Sequence, residues 1–397
     1  MLIARSLGVE EYGAFVGVVA LVAILSPFAP MGWGQILIRN VARDRDTFCA
    51  SWGNALFATG LCGSALSILL VFTSRSILAH KVPYLLVLLI AASDLLLAPI
   101  VGLAAQAFQA IEELHRTAQL YTVLTGMRAG FALVLFVLSR HPQALTWAFF
   151  YCLSSVIAGA HAISLVGTKL GRPKVSLAEL RSELRDGLYF AIGLSSQSIY
   201  NDIDKTMLVR LGSFGAAGIY AVAYRMIDLS FQPAGALLSS AYPRFFRYGE
   251  RGLSGVTELS RRLLPIVLIY TAIAGSALFL LAPAIPLVFG KDYGASVAAL
   301  RWLCPIGLFR AIHYVLSYAL TGANLQGVRS AIQVCVAGLN VLLNLWLIPA
   351  FSWRGAAWAS VASDGALALG IFAAVAVLHR KQVRVMGVCS VEPTVTS

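Results

Sequence analysis

Long apolar runs alternate with short polar breaks along the whole chain. Eleven runs are long enough to cross a hydrocarbon core, which takes about 20 apolar residues in a helix. They fall at about 12–38, 51–73, 82–107, 117–139, 144–168, 187–211, 214–243, 262–289, 295–320, 327–349 and 355–378. The connections are short, and the two longest, 169–186 and 244–261, are both basic. Pro27, Pro99, Pro233, Pro283 and Pro305 interrupt the runs. A broken helix frees backbone groups that must line a cavity or meet a neighbour, so these positions suit bends.

Composition makes lipid the solvent. Hydrophobic residues are 59% of the 397 and charged residues only 12%, against about 25% charged in a soluble chain. The predicted fold class is therefore an all-α polytopic membrane protein. The net charge of +12 would suggest nucleic acid in a soluble protein, but its distribution has another cause. With the loop after the first run placed inside, inner loops hold 18 Lys and Arg and outer loops and span ends hold 6. That is the positive-inside bias; it puts the C-terminus in the cytoplasm and leaves no nucleic-acid patch to explain. The six cysteines lack CxxC or metal-ligand spacing, so neither a disulfide framework nor a metal site follows. There is no Walker loop, GxSxG or HExxH. The chain is expected to be no enzyme, with no cofactor and no metal.

Two segments about 205 residues apart look alike. LGVEEYGAFVGVVALVAILSPFAPMGWGQILIRNVAR starts at Leu7, and LGSFGAAGIYAVAYRMIDLSFQPAGALLSSAYPRFFR starts at Leu211. Each begins Leu-Gly, continues Gly-x-aromatic (Gly13–Phe15, Gly218–Tyr220), carries a proline midway and ends basic at Arg39 or Arg244. This pattern predicts an internal repeat. A full run, 187–211, precedes the second copy, whereas only MLIARS precedes the first. The expectation is a native protein of about twelve spans, its first helix largely missing here, built as two parallel six-helix repeats around a central cavity. The lobes would be 1–168 and 187–380, joined by a basic cytoplasmic linker at 169–186 and followed by a cytoplasmic tail at 381–397.

The opening ARSLGVEEYGAF, the run DIDKTMLVRLGSFGAAGIYAVAYRMID and the stretch NVLLNLWLIPAFSWRGAAWASVAS resemble, in order and spacing, the motifs of bacterial oligosaccharide and polysaccharide flippases. That O-antigen flippase-like family belongs to the multidrug/oligosaccharidyl-lipid/polysaccharide exporter superfamily. The resemblance covers nearly the whole chain. It implies flipping of an undecaprenyl-diphosphate-linked oligosaccharide across the bacterial cytoplasmic membrane, by alternating access, for surface polysaccharide biosynthesis. Lipopolysaccharide O-antigen and exopolysaccharide are the product classes it suggests. The implied partners are that lipid-linked oligosaccharide, membrane lipid, and the polymerase and chain-length regulators of the same pathway.

An anionic, hydrated headgroup cannot cross hydrocarbon unaided, and Arg pairs phosphate oxygens bidentately. A charge at mid-span costs about 2.5–3.5 kcal/mol, so such residues face a cavity or a partner. Arg128 is the first substrate-binding candidate; the competing reading pairs it structurally with a carboxylate such as Asp94. Arg310 and His313, three apart on one face, form a second cationic element. Arg225 is a further candidate, weighed against an internal ion pair with Asp228. Asp204, with Asp202, Asp94 and Asp364, are coupling-ion candidates. For the cluster Asp202, Asp204 and Lys205 the plain alternative is hydration near the outer end. Asn340 and Asn344, four apart, read as helix packing. Two other readings remain: a cation-coupled drug exporter of the same superfamily, and a membrane glycosyltransferase or polymerase. The second would need a large loop bearing carboxylates.

Overall fold

The computed structural model describes residues 2–78, 82–138, 142–176, 202–249, 252–323 and 325–389. Among these residues there is no strand, and nine helices are long and apolar enough to cross a membrane. The chain divides into two compact units, Met1–Ala221 with Leu287–Tyr293 and Val222–Pro286 with Gly294–Ser397. This division does not follow the lobe limits at 168 and 187. Most of the expected linker and most of the span at 187–211 lie outside the described residues, of which 202–211 is helical.

In the first unit α1 is Leu2–Leu25, followed by a tight turn at Ser26–Phe28. Then come α2 (Trp33–Arg43), α3 (Phe48–Leu78), α4 (Tyr84–Ala110), α5 (Leu114–Leu138), α6 (Ala144–Lys169) and α7 (202–211). Helix α8 (Phe214–Gly249) runs on into the second unit. That unit continues through α9 (Gly252–Leu281), the short α10 (Ile285–Phe289), α11 (Ser296–Leu303), α12 (Ile306–Gly322), α13 (Gln326–Phe351) and α14 (Trp353–Cys389).

Two sequence expectations are corrected. The run at 12–38 is not one span: the first apolar helix covers Leu2–Phe28. Pro27 and Pro30 end it, and Met31 (φ 42°) and Gly32 (φ 71°) turn the chain into α2. Helix α2 places Trp33, Ile36, Leu37 and Val41 in a buried core with Trp52 and Phe108. Their spacing is that of an amphipathic helix, so this segment packs on the bundle. The basic connection at 244–261 is helical on both sides of 250–251, as the end of α8 and the start of α9. The run at 214–243 is helical, as expected, within the longer α8, which carries Arg225, Asp228, Arg244 and Arg247.

The outward faces carry large apolar side chains such as Phe72, Leu138, Leu287 and Trp346, each at least three-quarters exposed. A water-soluble monomer rarely exposes so much apolar surface; lipid covers it at no cost.

Both copies of the Leu-Gly punctuation break a helix. Gly8 has φ 75° and ψ 175° inside α1. Gly212 and Ser213 separate α7 from α8, where Ser213 Oγ accepts from the Ala216 N–H at 3.0 Å. Just beyond, α1 and α8 cross with backbones in contact. A Cβ on Gly13 would overlap the Phe214 carbonyl, and a Cβ on Gly218 would overlap the Val9 carbonyl. Each contact lies four residues before the other glycine, so the crossing is reciprocal. Nearby, Glu11 accepts the Ala144 N–H at 2.6 Å and caps the start of α6. The Tyr293 hydroxyl donates to the Ala4 carbonyl at 2.8 Å. Burial first, then Tyr12 and Asp292, push its pKa upward, so it stays a donor.

The crossing yields a contrast. Gly13→Ala should cost about 1–3 kcal/mol, as overpacking does. Gly126→Ala, whose Cβ would meet nothing within 4 Å, should be neutral or stabilise α5 by up to about 1 kcal/mol. Melting temperatures of the purified protein in detergent check this; equal shifts would refute the close crossing.

Candidate functional site

The first unit holds a cavity of about 390 Å³ between α1, α4 and α5. Its polar wall is Ser26, Asp94, Gln106 and Arg128; Pro30, Pro99 and Gly102 are among the rest. Helix α4 widens into a π-helix at Ala92–Leu97, immediately before Pro99. Proline has no N–H to donate and clashes with the carbonyl four residues back, and a π-bulge accommodates that strain. Asp94 lies within this segment.

Arg128 of α5 reaches Asp94 Oδ1 at 2.9 Å. The same nitrogen, Nη2, also contacts Ser93 Oγ at 3.3 Å and Ser155 Oγ at 3.2 Å. The Tyr151 hydroxyl donates to the other Asp94 oxygen at 2.9 Å, and the guanidinium carbon lies 3.9 Å from the Tyr151 ring centroid. Phe15, from the first Gly-x-aromatic copy, meets Tyr151 edge-on at 5.5 Å. The pair the sequence offered as a structural alternative thus exists, and it sits on a cavity wall. Among the described residues, the hydrogen bonds of Arg128 leave from Nη2. Nε is buried without a partner, and Nη1 makes no hydrogen bond among the described residues.

The second unit has its own Arg–Asp–Tyr group. Arg310 Nη1 contacts Asp228 at 2.8 Å, and Nη2 donates to the Tyr224 hydroxyl at 2.7 Å. Asp228 therefore answers Arg310 and not Arg225, which is exposed; the internal pair weighed for Arg225 does not form. Tyr224 and Asp228 are four apart and share a face of α8. His313 is buried, with Nε2 3.8 Å from Asp364, beyond hydrogen-bond reach. Asn340 donates to Ser363 Oγ at 3.2 Å, tying α13 to α14, and Asn344 donates to the Asn340 carbonyl at 2.9 Å within α13.

Near α7, Lys205 pairs with Asp202 at 2.5 Å. Asp204 is 1% exposed. It accepts from the Tyr220 hydroxyl and, at 2.7 Å, from the Lys205 N–H. Hydration does not explain it; Tyr220, the aromatic of the second Gly-x-aromatic motif, does. Sequence reasoning missed Tyr151, Ser155, Tyr224, Tyr220 and Gln106. Spacing could have suggested Tyr224 beside Asp228 and Tyr151 beside Ser155, each pair four apart. Nothing in the sequence marked the π-helix.

Comparisons with known proteins bear on this arrangement. The sequence matches a family described as polysaccharide biosynthesis protein over residues 1–249. A relative from Haloferax volcanii, described as the probable low-salt glycan biosynthesis flippase Agl15, is 22% identical over 242 residues, 60% of this chain and 50% of the relative. The chain thus spans about half the length of the curated relative it matches. The fold is similar to an inward-facing multidrug resistance MATE family transporter of the MOP superfamily. The TM-score there is 0.80 at 15% identity, over 99% of this chain and 94% of that one. It is similar also to the lipid II flippase MurJ in an inward closed conformation, with TM-score 0.77 at 13% identity, over 94% and 83%. At such identities the likeness concerns fold alone.

The ion pair generates a prediction of its own. Asp94→Ala strands the guanidinium and should destabilise by about 3 kcal/mol, the low end for breaking a buried pair, because the cavity admits water. The double variant Asp94→Ala/Arg128→Met should recover part of that loss. A thermodynamic cycle from unfolding in mixed micelles measures it; strictly additive effects would show that the pair is uncoupled.

Proposed function

The chain belongs to the polysaccharide biosynthesis protein family, and on that premise we propose that it moves a lipid-linked glycan across a membrane. The carrier chemistry that suits it is an undecaprenyl-diphosphate type, flipped by alternating access in a bacterial cytoplasmic membrane with the C-terminus inside. The single observation carrying the reading is Arg128. It is a cation on a cavity wall, held by Asp94 and Tyr151 through one edge, with Nη1 unspent.

The pairing solves an insertion problem first. An unanswered charge at mid-span costs about 2.5–3.5 kcal/mol, and Asp94 removes most of that cost while the cavity is empty. A diphosphate entering the cavity meets Nη1 without first breaking the ion pair. A phosphate bound there leaves the Arg128–Asp94 pair and the Tyr151 hydrogen bond in place. Asp94, the carboxylate on the same wall, is the coupling-ion candidate of this unit. Gln106 and Ser26 offer amide and hydroxyl partners to the sugar. In the second unit, Arg310 is more enclosed and serves as a second cationic element, with Asp364 and His313 beside it.

A drug-exporter reading has one observation in its favour: Asp94 on the same wall would suit an organic cation. The two readings separate cleanly. In cells lacking the gene, lipid-linked oligosaccharide should accumulate on the inner leaflet while surface polysaccharide disappears. The wild-type gene should reverse both effects. Arg128→Ala should cut transfer roughly tenfold to a hundredfold, the worth of a charge-assisted hydrogen bond, and Arg128→Lys should restore only part because it loses the fork. Normal leaflet distribution in the deletion, with export of an organic cation lost in Asp94→Asn, would replace the flippase by the exporter.

A further inference from the structure

Arg301 is a cation near the end of a span that the proposed transport reading does not use. It lies on α11, exposed, and among the described residues no carboxylate pairs with it. Its neighbour is an aromatic face: the guanidinium carbon sits 5.0 Å from the centroid of Phe279 on α9. Both residues border a groove of about 540 Å³ between α9 and the α11–α12 segment.

The groove has a polar end and an apolar length. From Phe279 it runs to Thr271, eight residues along α9, about 12 Å at the helical rise. Ala272, Gly275 and Ser276 form one wall, and Cys304 and Leu308 are on the other. Small side chains on α9 leave the space. The flanking Ile273 and Leu280 are 65% and 75% exposed, so the groove opens on the lipid-facing surface. Beside Arg301, Trp302 is half exposed and meets Trp358 edge-on at 5.8 Å; Phe351 lies 5.0 Å from Trp358. Such aromatic clusters mark the bilayer interface. Arg301 therefore stands at headgroup level, and the groove descends from it into the hydrocarbon.

We propose that this groove binds an anionic phospholipid of the surrounding bilayer, with one acyl chain along α9 and the phosphate against Arg301. Two features select that occupant. Among the described residues the guanidinium has no carboxylate partner, and it stands where lipid phosphates lie. The apolar length below it matches a linear hydrocarbon chain, whereas a soluble anion would leave it empty. The inference rests on the membrane-spanning fold and not on the glycan reading.

The test uses the purified full chain in detergent. Bound palmitoyl-oleoyl phosphatidylglycerol or phosphatidylcholine is counted by native mass spectrometry during titration, with melting temperature as the folding control. Wild type should prefer phosphatidylglycerol. Arg301→Ala should weaken that lipid about fivefold, the worth of one near-surface cation, and leave phosphatidylcholine unchanged. Arg301→Lys should retain the preference. Ser276→Phe, or Ala272→Leu if the first variant misfolds, should weaken both lipids with Arg301 intact. An undiminished preference in Arg301→Ala would overturn the phosphate contact. Unchanged binding of both lipids in the groove variants would overturn the acyl-chain site. An isoprenyl diphosphate displacing phosphatidylglycerol at least tenfold better than that lipid displaces itself would assign the groove to cargo instead.

Discussion

An ionised side chain inside a membrane-spanning bundle needs a partner before it can be held there, and that requirement organises both units. Arg128 and Arg310 each meet an aspartate and a tyrosine. The aspartate neutralises the charge. The tyrosine adds a hydrogen bond and a ring face, on which a guanidinium sits with its apolar faces covered. Helix geometry yields to the arrangement at Ala92–Leu97, where α4 widens into a π-helix around Asp94.

The two groups share chemistry but differ in access. Arg310 is 8% exposed, and both its terminal nitrogens are engaged. Arg128 spends one nitrogen and lines a cavity. A cation whose partners occupy one edge can receive a second anion without being stripped of the first, so the insertion penalty is met throughout a binding event. A cation enclosed on both edges must exchange partners. On this difference, and not on the number of charges within spans, rests the proposal that the first unit's cavity takes the phosphate.

Close backbone contact supports the site from behind. Gly13 and Gly218 let α1 and α8 cross without intervening side chains. The aromatic residues two positions further on then reach the charged groups, Phe15 against Tyr151 and Tyr220 to Asp204. The paired Gly-x-aromatic motifs thus have a physical content: the glycine brings the helices together and the aromatic residue supports a carboxylate, the cavity-lining Asp94 through the Tyr151 ring in one and the buried Asp204 directly in the other.

The chain's sequence was enough to establish a helical membrane protein, because a run of some 20 apolar residues has few other stable fates. It also located the mid-span charges and the repeated punctuation, since each is written in consecutive residues. It did not reveal that Pro27 and Pro30 end a helix, that α2 packs back on the bundle, or that 244–249 and 252–261 are helical. Those outcomes depend on which apolar face finds a neighbour. Partner choice was likewise beyond it: Asp228 is three residues from Arg225 yet pairs with Arg310, 82 residues away. Spacing along a helix states only which groups share a face. Whether that face meets lipid, a cavity or another helix's charge is decided by rotation and packing, and these are properties of the tertiary structure alone.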